Sequence, residues 1–363
     1  MELKSQRHTV QDLGGAIDLC YTNGWTDGLP VVPPTEEAVE WMLRGTDRDR
    51  NEIIAELAPA WGEATVESIA VNAVMAGCRP PMLPIVITAV QAVAEPRLNL
   101  SGHQTTTSAG APLVIVNGPL ARALDVNAGI NCFGPGWQAN ATIGRALRLC
   151  LRNIGGGVPG KTDRSTMGHP GKYTYCIAEN EAHSPWEPLH VERGLSADSS
   201  AVTVIWGEAP HNIIDQRSTT PEGILTNAAS VMSALGNNLL YRPGEALLVI
   251  CPEHAVTIAE CGWNKDDVKR YLFEHARKPY GNVKHGGFFG VGDLPKWVDQ
   301  RSDQTMVPIV KDAQGIVVAV AGGPGRHSMA VVTAGATASV TKPITLRDGT
   351  PARSLDDFTR AAR

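Results

Sequence analysis

Apolar residues along this chain follow two rhythms. Short continuous runs, Pro112 to Val116, Ala246 to Ile250 and Ile316 to Ala321, read as strands buried on both faces. Each run ends at a glycine- or proline-marked corner and then takes up helical spacing. The corners are Asn117-Gly118-Pro119, Pro252, and glycines 322, 323 and 325, after which His327 is expected to open a helix. The second rhythm is a helix face. It appears as Val66, Ile69, Ala70, Ala73 and Val74 between a Thr65 cap and Gly77, in Met82 to Ala94, and as Ile143, Leu147, Cys150, Leu151 and Ile154.

Fainter signals predict helices at Ala16 to Tyr21, behind Thr35, from Thr220-Pro221 to Leu235, behind Asn264 and behind Ser354. Ser184 and Glu187, with Pro185 at the first helical position, predict another reaching Glu192. Ala201 to Trp206, Met306 to Lys311 and Ala338 to Ile344 have strand composition. The fold class is therefore α/β, with mixed or mostly parallel sheets covered by helices and built from strand–turn–helix units. The expected division is an entry segment over 1–64, a first α/β subdomain over 65–195 and a second over 196–363. No period of about 20–50 residues links the units, which excludes a solenoid. The glycine- and aromatic-rich stretch 278–297 reads as a loop able to act as a lid.

Composition removes several functions. A net charge of −5 with both signs interspersed shows no basic patch for nucleic acid. No run of about eighteen apolar residues is present to span a membrane, and the first fifteen residues lack the apolar core of a signal peptide. The seven cysteines are scattered without a C-x-x-C, which fits a reducing cytoplasm better than a disulfide framework.

Candidate chemistry concentrates between Asn131 and Glu181. Gly134 and Gly136 lead into the third helix, whose free backbone N–H groups make an anion site, with Asn140 or Thr142 as cap. Arg145, Arg148 and Arg152 form a cationic stripe; its plainer reading is a solvated helix face. The loop lacks the Lys-Ser/Thr ending of a phosphate-binding loop, and no G-x-G-x-x-G follows a strand, so no nucleotide cofactor is implied. His169, Lys172, Glu179, Glu181, His183 and His190 follow closely. Their spacings match no metal signature, though a metal is not excluded. Proton transfer asks less: one histidine and a carboxylate to orient it. Asn117, His254 and His327 fall at strand ends, where ligands gather in open α/β sheets.

Cys78 stands beside Arg79 and before a helix, and Cys132 precedes the glycine loop, so both are candidate nucleophiles. A small buried cysteine is the plainer account of Cys78. Cys150, Cys176, Cys251 and Cys261 read as packing. Trp25 and Asp27 mark a turn that either pins a loop to the body or covers a substrate.

NGWTDGLPVVPPTEE, NAVMAGCRP, APLVIVNGP, FGPG-x-x-ANATIGRALRL and GHPGKYTYCIAENE-x-x-SPWEP-x-H together resemble the UGSC-motif (seleno)protein family of bacteria over roughly residues 20–192. That family is named for a Sec/Cys-Gly-Ser-Cys redox motif. This sequence contains no C-G-S-C, so the resemblance implies a companion region without the redox pair and puts a thiol–disulfide role in doubt.

The residues point to an enzyme acting on a small organic anion by acid/base chemistry, of lyase, hydratase or hydrolase type. His169 or His327 would move the proton and Glu179 or Glu181 would orient it. Arg145 and the 134–136 loop would hold the anion, with Asn140, Lys172, Asn117 and His254 as further binding groups. A thiol-redox protein and a non-catalytic assembly protein are the alternatives. A homo-oligomer or a redox partner is the macromolecular association left open.

Overall fold

A computed structural model describes residues 3–242, 244–287, 294–333, 335 and 337–361. Eight strands carry the body: β1 (Ala111–Asn117), β2 (Cys176–Ala178), β3 (Ala201–Gly207), β4 (His211–Ile214), β5 (Ala246–Ile250), β6 (Ile316–Val320), β7 (His327–Val332) and β8 (Val340–Pro343). They form two four-stranded sheets, ordered β8-β3-β1-β2 and β6-β5-β7-β4. Both sheets are mixed: β1 runs parallel to β2 and β5 to β6, while every other pairing is antiparallel.

Alternate residues of each central strand go to different cores. In β1, Leu113 and Ile115 meet Leu247 and Val249 of β5, so the two sheets pack face to face. Val114 and Val116 point the other way, into helices α1 (Val66–Ala76), α2 (Leu83–Val93) and α3 (Gln138–Asn153). Leu248 and Ile250 likewise face α4 (Pro221–Met232), α5 (Pro252–Glu260) and α6 (Lys265–His275). The result is four layers: helices, sheet, sheet, helices. The apolar runs are unbroken because both faces of each sheet are covered, one by helices and the other by the second sheet. The mixed sheets covered by helices that the sequence predicts are present, and the second face of each sheet is buried by the other sheet.

The sheets share one register. Across the first, Val340, Val204, Val114 and Cys176 form a row. Across the second, His211, Ala330, Leu248 and Val318 form the same row with the same directions. Three residues further along each strand, Asn117 is the counterpart of Cys251, Glu179 of Ala321, and Gly207 of Thr333. Gly207 and Thr333 are themselves joined by an antiparallel bridge, as a two-fold relation between halves requires. The halves also trade strands: β4 follows β3 but joins the second sheet, and β8 follows β7 but joins the first. A boundary at 195 therefore separates β2 from β3, which belong to one sheet.

Local chemistry explains most elements. Thr65 Oγ1 accepts from Ser68 N, and Gly77 at φ 90° ends α1. Asn264 and Asp267 form a reciprocal capping box on α6. Three expectations fail. His327 begins strand β7, not a helix: Gly322 and Gly325, at φ 108° and 121°, turn the chain sharply, and only six residues separate β6 from β7, too few for a crossover helix. Ser184 closes a local turn with Trp186 N, and helix begins only at Leu189. The helix after Thr220 stops at Met232. In and beside the loop or lid expected over 278–297, Arg277–Pro279 pairs with Met306–Pro308 and Tyr280–Val283 is one helical turn; residues 288–293 of that stretch lie outside the described residues. Among the described residues no helix is long and apolar enough to cross a membrane.

Candidate functional site

Three polar places stand out. The first is the strand-end corner of the first sheet. Glu179, fully buried after β2, accepts from Asn117 Nδ2 (2.7 Å) and Leu189 N (2.7 Å), and lies 3.7 Å from Lys265 Nζ. Burial pushes its carboxyl above the ordinary range, against the pull of Lys265 and the donors. Glu181 accepts from Gly118 N (2.6 Å) and pairs with Arg122 (2.8 Å). Lys265 and Lys269 share Glu192. Both ring nitrogens of His190 and Oδ1 of Asn117 are buried without a hydrogen bond. Asn117, Glu179 and Glu181 are thus brought together, but as a closed network between the sheets and α6.

The second place is the matching corner of the second sheet. Cys251 caps α5 and His254 lies one turn on. His254 Nε2 donates to the Asp215 carbonyl (2.9 Å), which leaves Nδ1 as the base facing Ser328 Oγ (2.8 Å). Ser328 Oγ also accepts from Cys251 N (3.0 Å). Burial works to raise the Cys251 thiol, yet His254 and the donors around it bring it below its ordinary value. Cys251 had read as packing. The missed signal was Cys-Pro-Glu-His, a cysteine at a helix start with a histidine on the same face. The two cysteines preferred from sequence behave oppositely: burial pushes Cys78 up to about 12 and Cys132 up to about 11. At Cys78, loss of solvent outweighs the one opposing influence, a hydrogen bond with Thr142.

The third place is open. A cavity of about 590 Å³ lies between α3 and the loop 157–173, with Asp27, Arg148, Arg152, Asp163, His169 and Lys172 in its wall. Gly144 lets α3 approach this loop, since a Cβ there would sit 2.6 Å from Tyr175 N. Arg148 is buried; its Nε donates to Lys172 O (3.1 Å), and Asp163 lies 3.7 Å from its Nη2. Arg152, one turn on, donates to Gly24 O (2.9 Å). Lys172 Nζ sits against both oxygens of Asp163, at 2.9 and 2.7 Å. Burial lowers the Lys172 ammonium from its ordinary value, Arg148 lowers it further, and Asp163 opposes both.

Asp27 brings the segment 23–30 to the cavity, where α3 clamps it. Arg145 makes a bidentate pair with Asp27 (2.8 Å twice), and Asn153 Nδ2 donates to Trp25 O. Arg145 is therefore spent on Asp27 and does not serve an anion at the 134–136 loop. Gly134 N donates to Asn131 O, and the residue before α3, Trp137, makes no side-chain cap. Asn140 lies inside α3 and binds Asn127 N (2.7 Å) and Cys176 O (3.1 Å), so it ties segments together rather than capping. Trp25 and Asp27 pin the loop, and Asp27 also borders the cavity.

His169 lines the cavity, but its nitrogens are turned away. Nδ1 accepts from Gly171 N (3.1 Å), while Nε2 is shut off beside the Gly207 carbonyl. Burial first, then Lys172 and Arg148, lower its pKa, so it is neutral. His327 is exposed at the start of β7, against Asn212 (2.9 Å), remote in the pairing from β1 and β2. His254 belongs to the Cys251 corner. Of the residues singled out, the structure gathers His169 and Lys172 at the cavity, with Arg145 one contact behind; Glu179, Glu181 and Asn117 form a separate group. Among the described residues no group of three or more His, Cys, Asp or Glu is arranged to hold a metal. Searched against family models, the curated proteins and the solved structures, the chain matches none.

Proposed function

We propose that the chain is an enzyme that binds a small organic anion in the α3 cavity and acts on it by proton transfer. The observation that carries the reading is the coincidence of a buried arginine, a second arginine, and a Lys172–Asp163 pair in the wall of one cavity. Arg148 is held by Asp163, Lys172 O and Gln104 Oε1, and the half-exposed Arg152, bonded through Nε to Gly24 O, adds a second positive charge for an incoming anion. Perturbed titratable groups in a cleft are the physical mark of acid/base chemistry. The proton-handling pair is Lys172 and Asp163 in place of His169, whose nitrogens are occupied or enclosed. Reactions of lyase, hydratase or hydrolase type need no more than this, and the dry wall strengthens the charge contacts.

Thermal unfolding with added succinate tests the binding half. Wild-type chain should melt higher as succinate rises, as mass action on the folded state requires. Arg152→Ala, which removes a half-exposed cation, should lose most of that response while keeping its own melting point nearly unchanged. Equal responses in both, or none in either, would remove the reading.

A further inference from the structure

We propose that Lys172 is a carbonyl-capturing amine and that the anion in the α3 cavity is an oxo acid, its carboxylate held by Arg148 and Arg152 and its carbonyl carbon offered to Nζ. The inference rests on the cavity being an organic-anion site and adds the chemistry of the second functional group.

Geometry selects this lysine. Lys172 ends the single turn Pro170–Lys172, where Pro170 fixes the backbone. Its own carbonyl is hydrogen-bonded by Arg148, so the lysine and the buried arginine are held in one unit. Arg148 and Arg152 are four residues apart and share a face of α3. Both line the cavity together with Pro170 and Lys172, and the oxo acid is placed with its carboxylate toward the arginines and its carbonyl toward the 170–172 turn. Asp163 is the base already in contact: both its oxygens lie within 2.9 Å of Nζ, and Ser165 N holds Oδ1 at 3.1 Å. The other buried lysines, Lys265 and Lys269, are tied to Glu179 and Glu192 between the sheets and α6.

A lysine becomes a nucleophile when desolvation or a neighbouring cation makes its neutral form accessible. Burial is the largest influence at Lys172 and lowers its ammonium; Asp163 opposes it, and Arg148 adds a smaller lowering. The ammonium gives one proton to Asp163, and the freed nitrogen pair forms the C–N bond as the carbonyl π pair moves to oxygen. Asp163 returns the proton to that oxygen. A second proton passes from nitrogen through Asp163 to the hydroxyl, which leaves as water while nitrogen closes the C=N bond. Ammonium and ketone give iminium and water; charge is conserved and nothing is oxidised or reduced. The iminium then accepts the electrons released when a bond to the neighbouring carbon breaks, which joins this step to the lyase class.

The test is reductive trapping on the full chain. Wild type is incubated with borohydride and, separately, glyoxylate, pyruvate or 2-oxoglutarate, with succinate as the carbonyl-free control; intact mass and peptide mapping follow. The expected result is one adduct per chain with at least one of the three, on the peptide carrying Lys172 and none with succinate. It should be absent in Lys172→Arg that melts like wild type, and lowered roughly tenfold in Arg152→Ala, the scale of one lost charge-assisted contact. Adducts spread over exposed lysines, or no adduct with any of the three, overturn the inference. If succinate still stabilises the protein while trapping fails, the oxo-acid chemistry alone falls. If succinate does not stabilise it either, the anion site falls as well.

Discussion

The two strand-end corners occupy equivalent positions in a duplicated frame and have been filled with opposite chemistry. At the end of β1 and β2 stand Asn117 and Glu179; at the end of β5 and β6 stand Cys251 and Ala321. The first corner is locked by charge: a buried carboxylate, two lysines and three acceptor or donor groups from separate segments. The second is compact, with a thiol, an imidazole and a hydroxyl in contact and a glycine turn alongside, the imidazole drawing the thiol below its ordinary value. Equivalent backbone positions thus fix where polar groups collect, while their identity decides whether the place holds the halves together or keeps a titratable thiol.

The contrast can be broken in four ways. The largest effect is expected at Glu179. Glu179→Leu strands the donors of Asn117 and Leu189 and strips Lys265 of one of its carboxylates, which should cost about 3–5 kcal/mol. Urea unfolding measures it, and a loss under about 1 kcal/mol would show that the charged corner does not bind the halves.

Ser328→Ala comes next. It removes the acceptor of Cys251 N and the partner of His254 Nδ1, for about 1–3 kcal/mol. A cost as large as that at Glu179 would erase the distinction between the corners.

The third prediction concerns pH. His103 stacks on Trp206 of β3 at 4.8 Å, and burial lowers its pKa to about 4, with Arg242 adding to the shift. A histidine depressed in the folded state is held neutral. The unfolded chain therefore takes up more protons between 4 and the ordinary 6.5, and stability must fall as pH drops through that window. Glu179 has the opposite sign: its raised carboxyl favours the folded state at low pH, and that contribution is lost as pH rises. His103→Phe keeps the ring stack and should flatten the fall between pH 6.5 and 4. An unchanged slope would assign the acid sensitivity elsewhere.

The smallest effect is a rate. Cys261 is exposed and should be alkylated first. Cys251 should react slowly, with a pH profile centred below the ordinary 9.0 of a thiol, and His254→Gln should move that profile upward. Coincident profiles would leave His254 as packing.

Much of this was visible in the residues, and the reasons for the exceptions are physical. Central strands were legible because both faces are buried, and α3 because its apolar face recurs every three to four residues. The caps Thr65 and Asn264 follow from a hydroxyl or amide before a helical run. The reversal at Gly322–Gly325 was misread because a glycine corner after a strand suits a hairpin-like return as well as a crossover. Arg145 was correctly seen on a cationic stripe, but its partner Asp27 lies over a hundred residues away, where spacing says nothing. The same limit hides the strand exchange, since the pairing of Val340 with Val204 is set by tertiary packing alone. Lys172 and His169 share a cavity because they share a turn, and local order is what a sequence carries.

The trade of strands has a consequence for how the chain is made. The second sheet takes its edge strand from residues 211–214, which leave the ribosome before the rest of that sheet. The first sheet waits for residues 340–343, made long after its other three strands. Until then β3 carries an unpaired edge in a nascent chain, a surface on which newly made copies can stick to one another.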